Sequence, residues 1–414
     1  MGWTTGQRRI VAAVAATGVA AALALVAYRV LAPAEVSTTA RGDYPARSQP
    51  APGVVGRLPV APLIVDGRLR VYAAQRQVYA DQPADGRHRS TPYWSYRRWP
   101  ATVDAVVASG TTVVSRWSDG RLVALDARTG QVIWRADGPE PERERVTRRT
   151  GSAIVWQPRG VSVVRTADGR DAVVTSGSGE VRAVDLAGGA QLWKAEVGRG
   201  CREPVGGSAD GRLLTLDRCA GPTVVEFRDA ATGKVGDRWR PPDAGDELTA
   251  TLIGCAPTGC TALRTAGPDG ISIRGWLLGS GKPVAAAVLD AADAELLDGT
   301  AVTLTDGLLV GRAVRNGTER WRASVGPGRL IAVQSDRVHV LTVGNELVTL
   351  DAASGRELSR FVLNVGSDGT GWLPGSVYAA DGYVTVERLR RPVDPDGDDH
   401  TYYFTAEPLI IAAT

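Results

Sequence analysis

The chain has 414 residues with 49 Gly and 24 Pro, while 43% of it is hydrophobic. This composition excludes a helical bundle and general disorder, and it favours many short strands around a buried core. Basic and acidic residues number 48 and 45, and the net charge of +3 excludes a nucleic-acid binder that relies on bulk charge. Only Lys194, Lys234 and Lys282 are lysines, and this bias toward Arg indicates a high-GC, actinobacterial genome.

Residues 10–28 carry no charge and follow Arg8 and Arg9. As a helix they would be about 28 Å long, close to the thickness of the hydrocarbon core of a bilayer. We therefore predict a cytoplasmic tail at 1–9 and a transmembrane anchor at 10–32, with the rest of the chain on the extracytoplasmic side of the cell membrane. The alternatives are a cleaved signal peptide, which the small residues Ala32 and Ala34 would suit, and a buried soluble helix.

Residues 33–59 contain five prolines and few apolar side chains. Proline stiffens and extends a chain, so we predict a linker that holds the following domain, residues 60–414, away from the bilayer. Soon after it comes a run of aromatic and basic residues, which are enriched in protein interfaces. Its members, for which strand packing is the alternative, are Trp94, Tyr96, Arg97, Arg98 and Trp99.

A repeated motif fills most of the remaining chain. An apolar strand is followed by Asp, by Gly four residues later, and by a second strand with Trp, as in ALDARTGQVIW and VDLAGGAQLW. Gly supplies the positive φ that a tight hairpin needs, Asp accepts turn N–H groups, and Trp covers apolar surface between sheets. We therefore interpret as structural Asp126, Gly130, Trp134, Asp185, Gly189, Trp193, Asp229, Gly233, Gly317, Trp321, Asp351 and Gly355.

Weaker copies at Gly86, Gly281 and Gly397 complete a set of eight repeats. Gly86 and Gly397 are seven repeats apart, which gives a period of about 44 residues. The longest interval between successive turn glycines, from Gly130 to Gly189, contains a charged insert at residues 139–150. A period of this size with several strands predicts an all-β, eight-bladed β-propeller of four-stranded antiparallel blades. Seven blades are the alternative, in which strands from both chain ends share one blade.

The four cysteines fall into two local sets, Cys201 with Cys219 and Cys255 with Cys260. An even count at close spacing favours two disulfides in an oxidising compartment. Free buried thiols and a four-thiolate zinc site are the alternatives, although neither spacing matches the tight Cys pairs of most zinc sites.

Carboxylates crowd together near the end of the chain, in the sequence DPDGDDH. Carboxylate oxygens can bind Ca²⁺, so Asp394, Asp396 and Asp398 form a candidate calcium site, with a solvated hairpin tip as the alternative. No set of residues indicates a catalytic centre, and we predict no cofactor.

The Asp-x-x-[Thr/Ser]-Gly…Trp repeat resembles that of the pyrroloquinoline-quinone-like propeller family, over about residues 60–411. The resemblance to its non-enzymatic, BamB-like branch implies an extracytoplasmic scaffold for a protein or cell-envelope ligand. The quinoprotein alcohol dehydrogenases of the same family imply the alternative, an enzyme that uses the quinone and calcium. The chain lacks their adjacent cysteine pair, and no active-site residue can be matched, so we favour the scaffold and expect no nucleic-acid partner.

Overall fold

The architecture is known from a computed structural model. It describes residues 14–22, 34–48, 50–82, 87, 91–142, 149–198, 200–242, 244, 246–268, 270, 272–366, 368–393, 402–403 and 407–414. Within these ranges, eight antiparallel sheets form eight blades, which confirms the predicted eight-bladed propeller. Each blade consists of four strands, and blade 1 carries a fifth at its edge.

The strands of the first four blades follow one another along the chain. Blade 1 contains β3 (Leu63–Val65), β4 (Leu69–Ala74), β5 (Gln77–Asp81) and β6 (Trp94–Arg98), with β1 (Glu35–Thr38) added beside β6. Blade 2 contains β7 (Val103–Ser109), β8 (Thr112–Trp117), β9 (Arg121–Asp126) and β10 (Val132–Asp137). Blade 3 contains β11 (Val161–Arg165), β12 (Asp171–Gly177), β13 (Glu180–Asp185) and β14 (Gln191–Glu196). Blade 4 contains β15 (Arg202–Gly207), β16 (Arg212–Asp217), β17 (Val224–Asp229) and β18 (Val235–Trp239).

The last four blades follow the same order, except that blade 8 takes a strand from the start of the propeller. Blade 5 contains β19 (Thr249–Ala256), β20 (Gly259–Ala266), β21 (Arg274–Leu277) and β22 (Val284–Ala285). Blade 6 contains β23 (Glu295–Leu297), β24 (Thr300–Thr305), β25 (Leu308–Ala313) and β26 (Glu319–Ser324). Blade 7 contains β27 (Gly328–Gln334), β28 (Arg337–Thr342), β29 (Glu346–Asp351) and β30 (Glu357–Val362). Blade 8 contains β31 (Leu373–Ala380), β32 (Tyr383–Leu389), β33 (Leu409–Ala413) and β2 (Gly53–Leu58).

The first strands of the blades contact one another in sequence, from β3 through to β31, and so lie innermost. Successive strands of a blade run in opposite directions. The turns that join strands two and three therefore share one face with the loops between blades, and we call this the cleft face. The other hairpin turns lie on the opposite face, which we call the turn face. Short helical segments occur at residues 14–22, at Ser152–Val155 and, as a 3₁₀ turn, at Ala287–Leu289.

The ring is closed by strand β2, whose Gly53 pairs with Ala413 and whose Leu58 pairs with Leu409. Side chains reinforce this pairing, since Arg57 and Arg388 both donate to the Asp368 carboxylate at 2.8 Å. Leu409 and Ile411 of blade 8 are fully buried in one apolar cluster with the strands of blade 1.

The segment before β2 is a strap on the propeller. Its strand β1 pairs with β6, with Glu35 opposite Arg98 at the cleft face. The strap then reaches the turn face, where the Ala40 N–H donates to the Thr129 carbonyl at 2.9 Å and Arg47 contacts the Asp66 carboxylate at 2.8 Å.

The extended linker predicted at 33–59 therefore differs from the structure, because residues 35–38 and 53–58 pair with propeller strands. The propeller starts before residue 60, and prolines between the two strands allow the chain to change direction without losing ladder hydrogen bonds.

The repeated Asp, Gly and Trp residues join neighbouring blades. The indole of Trp134 in blade 2 covers Gly189 in blade 3 and donates to the Leu186 carbonyl at 2.8 Å. The same contact joins three further pairs of adjacent blades, through Trp94 with Gly130, Trp193 with Gly233, and Trp321 with Gly355. The hairpin glycines have nearly equal φ values of 70–72°, at Gly130, Gly189, Gly233, Gly317 and Gly355.

The repeated Asp residues hold the same hairpins. The Asp185 carboxylate accepts the N–H of Gly188 at 2.8 Å, and its carbonyl accepts the N–H of Gly189 at 2.8 Å. In the other three hairpins, the carboxylates of Asp126, Asp229 and Asp351 likewise accept a backbone N–H of their own turn. Together, the Trp–Gly contacts and the Asp-bound turns hold the outer strands of these adjacent blades in place.

All four cysteines form disulfides, which confirms the prediction of two bridges over free thiols and zinc. Cys201–Cys219 joins the ends of the first two strands of blade 4 at the cleft face. Cys255–Cys260 closes the first hairpin of blade 5 at the turn face.

Candidate functional site

A cleft of about 770 Å³ opens on the cleft face, across blades 1 to 3. Interblade loops and the turns between second and third strands supply its lining, since both kinds of connection lie at this end of the blades. The lining residues are Arg98, Trp99, Pro100, Ala101, Ser118, Asp119, Glu140, Pro141, Glu142, Ser178 and Gly200.

Trp99 supplies the largest apolar surface in the cleft. Its side chain is 48% exposed, although most tryptophans of the propeller are buried. Its backbone N–H donates to the Ala34 carbonyl at 2.8 Å, and it precedes Pro100 through a cis peptide bond. The strap therefore holds the backbone of Trp99 in place, while its indole stays exposed to solvent. An exposed indole on a fixed backbone can serve as an aromatic contact for a ligand.

The positive charge of Arg98, the one arginine of the cleft lining, is balanced by neighbouring carboxylates. Arg98 contacts both carboxylate oxygens of Asp119 at 2.9 Å and also reaches Glu35 at 3.3 Å. Burial raises the pKa of Asp119, but the hydrogen bonds from Arg98 and from the Arg121 backbone outweigh this effect, so its pKa lies below the ordinary value. Asp119 is thus ionised at neutral pH.

Two further carboxylates stand at the rim. Glu140 and Glu142 are exposed, and neither forms an ion pair with a residue that the structure describes. With Asp119, they outnumber the one arginine of the lining. Three carboxylates and one arginine therefore line the cleft.

The predicted interface run is divided by the structure. Trp94 and Tyr96 are fully buried, which corrects their assignment to an interface: Trp94 joins blades 1 and 2, and Tyr96 packs edge-on against Trp117 at 5.8 Å. Arg97 is exposed, Arg98 holds Asp119, and Trp99 lies in the cleft. The division follows position along β6: its first three residues are buried within blade 1, whereas Arg97, Arg98 and Trp99 lie at its cleft-face end.

The carboxylates of the cleft come from segments that the sequence analysis did not connect. Asp119 lies in the turn after a second strand, whereas Glu140 and Glu142 belong to the insert at 139–150. The lengthened gap between the glycines at 130 and 189 was the available signal, since an insertion between repeats must lie on the cleft face.

The predicted calcium ligands Asp394, Asp396 and Asp398 lie outside the described residues. Within the described ranges, no three His, Cys, Asp or Glu residues are grouped to hold a metal ion. In the same part of the chain, no helix is both long enough and apolar enough for a membrane crossing.

The profile of one protein family, described as outer membrane protein assembly factor BamB, matches residues 5–176 and 305–406. Among solved structures, BamB from Moraxella catarrhalis is similar with a TM-score of 0.45 and 15% identity, covering 88% of this chain and 98% of that one. The computationally designed Ika8 protein has a TM-score of 0.46 and 12% identity, covering 90% and 99%. The C-terminal WD40 domain of Sif2 has a TM-score of 0.47 and 11% identity, covering 89% and 99%. No curated protein sequence matches the chain.

Proposed function

Because the chain belongs to the family of the outer membrane protein assembly factor BamB, whose profile matches most of its length, we propose that it is a protein-binding propeller. It acts as a scaffold without catalysis or a cofactor, and it is tethered to the cell membrane by one N-terminal helix. The propeller lies on the extracytoplasmic side.

The cleft carries this proposal. The open indole of Trp99 is of the kind that is enriched at the centre of protein interfaces, and the carboxylates around it suit a polar rim. Trp anchors contribute much of the affinity of an interface, because a rigid aromatic surface is desolvated at little cost in side-chain entropy.

The compartment is supported by the cysteines. Both pairs are bridged, and disulfides persist in oxidising compartments outside the cytoplasm. The uncharged stretch at 10–28 supports the tether, since its length as a helix matches the hydrocarbon core.

Photo-crosslinking from the cleft tests the scaffold function. A photoreactive residue replaces Ser118, which lines the cleft, in the full chain within its native membrane. We expect one discrete protein adduct that disappears when Trp99→Ala is added. Asp293 is the control position, because it is exposed on the same face but beside blade 6.

Two results would contradict the proposal. One is an adduct pattern that Trp99→Ala leaves unchanged, or that is the same from position 293. The other is dye reduction that depends on added pyrroloquinoline quinone and calcium, which would establish the enzyme as the function instead.

A further inference from the structure

Asparagine is rare in this chain, and one of its three asparagines stands directly before a glycine. Asn316 and Gly317 lie in the turn-face hairpin between β25 and β26 of blade 6, whereas Asn345 and Asn364 precede Glu and Val. Asn316 is exposed, while Asn345 is buried and donates to the Thr370 carbonyl at 2.8 Å. The Asn–Gly pair therefore places a side-chain amide beside an unhindered backbone nitrogen, in reach of water.

The hairpin of blade 6 uses Asn316 where other hairpins use a hydroxyl group. The Oδ1 atom of Asn316 accepts the backbone N–H of Thr318 at 3.1 Å. In blades 2, 4 and 7, the residue before the hairpin glycine accepts the corresponding N–H through its hydroxyl oxygen, at Thr129, Thr232 and Ser354. The turn thus needs only a side-chain oxygen at this position, and Asn316 adds an amide carbon that the hydroxyl residues lack.

We propose that Asn316 is a site of spontaneous deamidation, a covalent modification that converts it to aspartate or isoaspartate. Hydroxide takes the proton of the Gly317 N–H, and the nitrogen attacks Cγ of Asn316. The bond from Cγ to Nδ2 breaks, and Nδ2 leaves as ammonia with a proton from water. A water molecule then opens the resulting succinimide ring at either of its carbonyl carbons.

Two hydrogen bonds of the turn govern the attack. The Thr318 N–H donates to Oδ1 and stabilises the negative charge that develops on this oxygen. The Gly317 N–H is held by the Ala313 carbonyl at 2.8 Å, so the attack requires this bond to open. Exposed hairpin tips open locally at low cost, and Gly317 places no side chain in the path of the reacting atoms.

Isoaspartate at this position changes the joint between blades 5 and 6. It adds one carbon to the backbone before Gly317, which faces Val288 in the 3₁₀ turn that follows blade 5. A Cβ atom on Gly317 would lie 3.5 Å from Cγ1 of Val288, so little space remains for a lengthened turn. Since a valine also buries less apolar surface than the indole of the other joints, we expect the modification to loosen this one.

Peptide mapping by mass spectrometry tests the site. The full chain is incubated at neutral pH and physiological temperature, and samples are digested at intervals. We expect the peptide with Asn316 to gain the mass of deamidation at least about tenfold faster than those with Asn345 and Asn364. Thr129→Asn places an Asn–Gly pair in the matching hairpin of blade 2, and we expect that peptide to deamidate at a similar rate.

Asn316→Thr is the matched control, because it keeps a side-chain oxygen in the turn and removes the amide. Incubation should lower the melting temperature of the parent chain in step with its isoaspartate content and leave that of Asn316→Thr unchanged. Equal rates at the three asparagines, or an Asn316 peptide that keeps its mass, would overturn the proposal. So would a Thr129→Asn peptide that stays unmodified, or an equal fall in melting temperature in the parent and Asn316→Thr.

Discussion

At the scale of single residues, the stability of the propeller depends on a few glycines, at which both the backbone angle and the absence of a side chain are required. The hairpin Gly189 has φ 71°, and a Cβ atom there would lie 2.6 Å from the Trp134 ring. Gly281 occupies the corresponding turn of blade 5, yet a Cβ atom there meets nothing within 4 Å. Two glycines that look equivalent in the repeat therefore have different structural roles.

Gly189→Ala should lower the free energy of unfolding by roughly 2–4 kcal/mol, because it adds left-handed backbone strain to a clash with the indole. Gly281→Ala should change it by less than about 0.5 kcal/mol, as surface substitutions usually do. Guanidinium unfolding of both variants measures the difference. Equal effects would show that the indole contact does not stabilise the blade joint.

His339 gives a second residue-scale prediction. It is fully buried between Gln334 and Thr349, and burial, with a smaller effect of Arg337, lowers its pKa to about 3. In the unfolded chain its pKa is about 6.5. Acid therefore protonates the unfolded chain first, and stability is lost as the pH falls below about 6.5.

Between pH 7.5 and 5, this residue should account for a loss of about 2 kcal/mol in the free energy of unfolding. His339→Gln, which can keep both hydrogen bonds and does not titrate, should remove that part of the pH dependence. Unfolding curves at the two pH values measure it, and parallel losses in both proteins would contradict the buried neutral histidine.

At the scale of elements, the fourth strands and their hairpins were predictable, whereas the two N-terminal strands were not. The Asp–Gly–Trp spacing marked hairpins such as that of Asp185, because the turn itself requires Asp and Gly. Strands β1 and β2 have no such local signature, since their partners β6 and β33 lie far away in sequence. The cleft was missed for the same reason: Ser178 of blade 3 reaches Asp119 and Glu140 of blade 2 only after the two blades are stacked.

The two disulfides differ in the length of chain that they close, 18 residues for Cys201–Cys219 and 5 for Cys255–Cys260. On a loop-entropy basis, replacing the first pair with Ala should cost about 3 kcal/mol and replacing the second about 2 kcal/mol. Urea unfolding of the two double variants compares them. A larger loss from the second pair would mean that the bridge acts chiefly through its native contacts in blade 5.

At the scale of the whole molecule, the repeat period was sufficient to predict eight blades, because each blade needs a nearly constant length of chain. The period did not show how the ring closes. Blade 8 takes its outermost strand from residues 53–58, and Arg57 with Arg388 surrounds Asp368 across that junction. The predicted boundary at residue 60 would remove this strand.

A chain of residues 34–414 should therefore fold as a monomer with one sharp thermal transition. A chain of residues 60–414 loses the pairing of β2 with β33 and should melt at a lower temperature, broadly, and with a tendency to associate through the open edge. Calorimetry and light scattering compare the two. Identical melting would show that β2 is dispensable for closure.

The closing strand also makes the propeller sensitive to how its polypeptide is produced. Strand β2 emerges early from a ribosome or a translocation channel, while its partner β33 follows more than three hundred residues later. Contacts so distant in sequence form slowly, and an unpaired strand edge can meet a neighbouring nascent copy in the meantime. An interrupted chain that lacks β33 can never seal the ring. A fragment that ends before β33 therefore leaves β2 without its partner and blade 8 with an unpaired edge.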